Sequence, residues 1–132
     1  MKKLLLLLVL YSSSIYADNY DKYCKNPETE QIRMVCLYSE KEGIDPLIAF
    51  SGVIFASWEL IGLYCNFSLS KRYFDITLPI LNKAGGKEAK DFFMNLYLDN
   101  NLPPPGYSGN DKSFCKFNYD LLGPKSKEGI YL

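Results

Sequence analysis

Reactive side chains are few in this sequence. The 132 residues include four cysteines, 15 acidic residues and no histidine. A lone carboxylate can move a proton, but general acid–base work usually rests on a histidine or a paired carboxylate set. Neither arrangement is readable here, and no glycine-rich phosphate loop is present, so the expectation is a protein that is not an enzyme and takes no cofactor. Cys24, Cys36, Cys65 and Cys115 lack the close spacing or histidine partners of a metal site. An even cysteine count in an exported chain instead implies two disulfides. The one carboxylate in an unusual setting is Glu59, the only charged residue between Leu47 and Leu63. It is either a buried acid with a raised pKa or, the favoured reading, a group that reaches solvent or pairs with a nearby lysine.

Export is read from the first 17 residues. Lys2 and Lys3, the apolar run Leu4 to Leu10, and the small residue Ala17 after Ser12-Ser13-Ser14-Ile15-Tyr16 follow the pattern of a secretory signal peptide. The apolar run is shorter than the roughly 20 residues that span a bilayer. Cleavage after Ala17 is expected, with the mature chain in a bacterial periplasm and membrane contact only through the signal peptide. Losing Lys2 and Lys3 lowers the basic residues from 15 to 13 against 15 acidic ones. Such a mildly acidic domain lacks the concentrated positive field that nucleic acid binding requires.

The element that must organise these residues is Asp45 to Cys65, DPLIAFSGVIFASWELIGLYC. Asp45 is a good N-cap and Pro46 suits a first helical turn. Apolar residues then cover every face, as in a helix surrounded by protein or lipid. Gly52 and Ala56 form a small-xxx-small pair compatible with a membrane span, but Glu59 and Cys65 argue for a helix buried in protein. A first helix is expected at Pro27 to Glu42, ended by Gly43, with Ile32, Val35, Cys36 and Ser39 on its inner stripe. With only Gly43 and Ile44 between them, these two helices should form an antiparallel hairpin. Residues equidistant from the turn then lie opposite each other. Cys24 and Cys65 then meet at the open end, leaving Cys36 for Cys115. The main rival pairs Cys36 with Cys65 and Cys24 with Cys115.

A third helix is expected after Ser70, interrupted by Pro79 and ended by Gly85-Gly86. The fourth, Lys87 to Asp99, shows the clearest 3.6-residue period in Ala89, Phe92, Phe93, Leu96 and Tyr97, with both phenylalanines expected on the central helix. NNLPPPGYSGNDKS from Asn100 reads as an exposed loop. Phe117, Tyr119 and Leu121 alternate like a short extended segment, and Pro124 to Leu132 reads as a weakly ordered tail. Loops on a rigid frame often carry recognition. The candidate partner-binding residues are therefore Asp99, Leu102, Tyr107, Asp111 and Phe114.

The opening CKNPETEQIRMVC, with eleven residues between Cys24 and Cys36, resembles that of the LprI-type lysozyme inhibitors. Cys65 followed by a helix, then KEAKDFFMNLYLDN and the closing Cys115, resembles the small helical, disulfide-bonded periplasmic immunity proteins against type VI secretion amidases, in which a Gly-Val pair like Gly52-Val53 precedes the third cysteine. This chain departs from that pattern in the distance from Cys36 to Gly52, in lacking a proline after Cys65, and in its extra tail. Both resemblances imply a protein that blocks a peptidoglycan-cleaving enzyme.

The expectation is thus an all-α, four-helix, disulfide-bonded domain around a buried central helix, spanning residues 18–123 between the signal peptide and the tail. It acts by binding another protein, as an inhibitor or immunity protein against a cell-wall hydrolase. The alternative is an accessory or assembly component of a secretion, conjugation or surface apparatus.

Overall fold

The structure, a computed structural model, describes residues 24–132. Those residues form an all-α domain of five helices, one more than expected. The expected signal peptide and its cleavage after Ala17 lie outside the described residues.

Helix α1, Glu30–Glu42, starts where Thr29 Oγ1 accepts the amide of Ile32 at 3.1 Å. It ends at Gly43, and Asp45 then caps α2, Pro46–Cys65, by accepting the amide of Leu47 at 2.8 Å. Ser70 caps α3, Lys71–Leu81, which carries exposed Pro79 in its last turn. Helix α4 runs Gly86–Asp99 and α5 runs Asp111–Leu122, capped by Asn110.

Each of the other four described helices packs on α2, and α4 does so most extensively. This accounts for its all-round apolar surface. It is the one helix among the described residues long and apolar enough to cross a membrane, yet most of it is buried by protein. One side meets Val35 of α1 and Phe93 of α4 through Ala49 and Ala56. Another carries Leu47, Phe55, Trp58 and Ile61 into a core shared with α3, α5 and the C-terminus. Phe92 lies outside that contact and stacks on Tyr38, with ring centroids 4.5 Å apart. The small residues serve close approach of α2 to α4: a Cβ on Gly52 would stand 2.8 Å from Ala89 Cβ and 2.9 Å from the Lys90 backbone nitrogen. Gly85, at φ +83°, has the same necessity, since a Cβ there would lie 2.4 Å from Ile44.

The disulfides are Cys24–Cys36 and Cys65–Cys115, which corrects both pairings expected from a straight hairpin. Helix α1 begins at Glu30 rather than Pro27, and residues 24–28 turn back so that Cys24 reaches it. Twelve helical steps would separate the cysteines by about 18 Å, whereas the Cα atoms of Cys24 and Cys36 lie 5.6 Å apart. Cys65, at the end of α2, is left to hold α5.

Two further expectations are corrected. Residues 117–121 are helical, not extended. The inward positions of α5 are Phe114, Asn118 and Leu122, while Phe117, Tyr119 and Leu121 lie on its exposed surface. The apparent alternation came from outward-facing apolar residues, and the true stripe was interrupted by a buried asparagine whose Nδ2 donates to the Phe114 carbonyl at 2.9 Å. Residues 124–132 are not a loose tail either. Ile130 and Tyr131 are fully buried, both amides bond to the Leu122 carbonyl, and Ser70 N donates to the Ile130 carbonyl at 2.8 Å. The Tyr131 hydroxyl also donates to the Trp58 carbonyl at 2.7 Å, fastening the C-terminus to α2.

Candidate partner-binding site

The loop between α4 and α5 is held along much of its length. At its start, Asn100 Nδ2 donates to the Leu96 carbonyl at 2.7 Å, and Leu102 N donates to the Tyr97 carbonyl at 2.9 Å. Asn101, at φ +52°, turns the chain between them. Pro104 is buried and its carbonyl accepts the Tyr107 amide at 3.1 Å, closing the turn through Pro105 and Gly106. At the far end, Asn110 Oδ1 accepts the Ser113 amide at 3.0 Å, and Cys115 joins Cys65 a turn later.

Three aromatic rings fix the middle. Tyr107 lies edge-on to Tyr64 and Phe114, with centroid separations of 5.4 and 5.3 Å. Asp111 Oδ1 accepts hydrogen bonds from both the Tyr64 hydroxyl, at 2.5 Å, and the Tyr107 hydroxyl. These two donors favour the charged carboxylate, Tyr107 most strongly, and hold Asp111 below its ordinary pKa. In return, the Asp111 carboxylate and then Tyr107 push the Tyr64 hydroxyl upward.

Beside this cluster is an apolar cavity of about 210 Å³, lined by Leu60, Leu63, Tyr64, Leu98, Leu102 and Pro104. Its position follows from the helix register. Gly52 abuts Ala89 toward the start of α2 and α4, while Leu60 and Leu98 share the cavity at the far end, so the two helices run parallel and finish together. Leu63, Leu98 and Leu102 are exposed there, at 66, 50 and 48%.

The chain matches no protein-family model, no curated protein and no solved structure. Of the five candidates, the fold brings Tyr107, Asp111 and Phe114 into one cluster and puts Leu102 on the cavity wall. Asp99 is the exposed last residue of α4. Phe114 is corrected: at 4% exposure it is the floor under the loop, not a contact surface. Leu63, Tyr64 and Leu98 were missed because they continue helical apolar patterns. Only their place in the last turns, beyond the neighbouring helices' cover, distinguishes them.

Glu59 takes the lysine-paired role. Its Oε2 accepts from Lys90 Nζ at 2.5 Å and from the Tyr73 hydroxyl, closing a largely buried polar set between α2, α3 and α4. Burial, with Glu59 second, pushes the Tyr73 hydroxyl well above its usual range.

Proposed function

We propose that this chain is an exported periplasmic binding protein that blocks a cell-wall-degrading enzyme, as an inhibitor or immunity protein, without catalysing a reaction itself. The observation that carries this reading is the pre-formed loop 100–110, tied at Asn100, Pro104 and Tyr107, anchored just beyond its end by Cys115, carrying exposed Leu102 and flanked by exposed Leu63 and Leu98. An ordered loop loses little conformational freedom on binding, so more of its contact energy appears as affinity. Adjacent exposed apolar side chains have the character of a protein contact surface. Two disulfides mark an oxidising environment, in keeping with the signal peptide read at residues 1–17. The cysteine-framed helical pattern that resembles amidase immunity proteins supplies the class of partner.

The test is capture of tagged mature protein from periplasmic extract under non-reducing conditions, followed by mass spectrometry. A cell-wall hydrolase in stoichiometric amount, lost on Leu102→Asp, is expected. Subunits of an envelope complex in its place would overturn the reading in favour of an assembly role.

A further inference from the structure

We infer that the groove where α2 and α4 end receives a basic segment of the partner protein, one apolar side chain flanked by lysine or arginine. This rests on the binding role proposed above and adds the chemistry of what is bound.

Size sets the first limit. An apolar cavity of about 150 Å³ is enough to take up a benzene ring, so the present one, of about 210 Å³, suits a single aliphatic or aromatic side chain rather than a whole helix. Charge sets the second. A helix C-terminus carries the equivalent of about half a negative charge, and both α2 and α4 end at this groove. Neither has a basic residue in its last turn to offset that charge. Asp99 adds a full charge at the end of α4, and Asp111 adds another beside Tyr64, with two hydroxyl donors favouring its ionised form. On neighbouring α5, Lys116 is already paired with Asp120 at 2.8 Å, while exposed Lys112 beside Asp111 and the positive N-terminal end of α5 offset part of this charge and leave the rim net negative. The groove is thus an apolar pocket with a negative rim, complementary to a positive segment with an apolar tip. The chain's own Asp18-Asn19-Tyr20-Asp21-Lys22-Tyr23 has two acidic residues to one basic. It lacks the matching charge.

The test selects binders from a random dodecapeptide library displayed on phage against the oxidised mature protein, then measures the recovered peptides on wild type, Leu98→Asp and Asp99→Lys. The expected peptides carry an aliphatic or aromatic residue between lysines or arginines. Their affinity should fall with added salt and drop about fivefold to tenfold on Asp99→Lys, the scale of reversing an exposed charge pair. Leu98→Asp should weaken them too, through loss of the apolar wall, with its added negative charge offsetting part of that loss. Both positions are solvent-exposed, and circular dichroism of each variant is the check that it is folded. Recovery of acidic or uncharged peptides, no enrichment, affinity indifferent to both variants, or self-association of the protein through this groove would each overturn the inference. A captured hydrolase whose binding ignores Leu98→Asp and Asp99→Lys would sink the inference and leave the inhibitor reading standing. Basic peptides seated in the groove, with an envelope complex as the captured partner, would do the reverse.

Discussion

Among the described residues, two carboxylates accept tyrosine hydroxyls, and their surroundings give them opposite work. Glu59 lies between three helices, with Lys90 and Tyr73 as partners and side-chain exposures of 19% for the glutamate and 16% for the lysine. Asp111 lies on the surface with Tyr64 and Tyr107 as partners and, among the described residues, no lysine bonded to the same oxygen. At Glu59 the charges are screened from water, so losing one partner strands the other. At Asp111 water can replace any lost hydrogen bond. The difference is that the first cluster holds the fold together, while the second sets the position of one loop and leaves global stability to the core beneath it.

The sharpest way to break this contrast is Glu59→Ala, which leaves Lys90 without its carboxylate. Removing one member of a buried pair typically costs about 3–5 kcal/mol, and urea unfolding should show a loss near the lower end of that range. Changing Glu59 to Leu together with Lys90→Met should recover much of it. If Glu59→Ala is as stable as wild type, the pair is not a fold-holding element.

The disulfides act on the same scale. Cys65–Cys115 closes a segment with a sequence separation of 50, against 12 for Cys24–Cys36. Loop entropy predicts losses of about 4 and about 3 kcal/mol respectively. Chemical denaturation of the two double-serine variants measures both. The first should also release α5 and the loop together, visible as accelerated amide exchange at Tyr107 and Phe114.

Alkali separates the clusters by another route. Burial of Tyr73 and Tyr131 raises their folded-state pKa values above the unfolded value. Their contribution is therefore fully present below about pH 10, the unfolded value, and is lost as pH rises beyond it toward the higher folded values. Tyr73→Phe should flatten this alkaline loss more than Tyr64→Phe, because Tyr64 is solvent-exposed. Equal flattening would erase the distinction between buried and surface clusters.

The smallest effect belongs to Asp111→Asn. Urea unfolding should barely change, while the Tyr107 ring resonances should shift as the loop loosens. Acid gives the same result without mutation. The Asp111 pKa is lowered, so its hold on the loop persists above the unfolded carboxylate value near 4 and is lost as pH falls through the lower folded value. Loop resonances that stay fixed in both experiments would assign the positioning to Phe114 and Cys115 alone.

Much of the helical frame was legible in the residues themselves. Asp45-Pro46 marked the start of α2 and its lack of a polar face required a covering shell, while Ser70 marked α3. What was lost had local causes. The reversal before Thr29 depends on backbone geometry that Asn26-Pro27 does not determine, and it redirected Cys24 to Cys36. Helix α5 was disguised because its inner stripe contains Asn118, while Phe117 and Leu121 are apolar on the outside. The burial of Ile130 and Tyr131 depends on a gap beside Trp58 and Leu122 that exists only once α2 and α5 have packed. Of the site, the proline loop with Leu102, Tyr107 and Asp111 was readable from composition. The groove was not, since Leu63 and Leu98 become its walls only through the parallel register that Gly52 and Ala89 impose.

The most direct measurement is hydrolysis of purified peptidoglycan by a panel of amidases and lysozyme-type muramidases with increasing amounts of the oxidised mature protein. The account predicts that at least one enzyme stops at about equimolar protein and regains activity when Leu102→Asp replaces the wild type. Undiminished hydrolysis by every enzyme at a large excess of folded protein would contradict it.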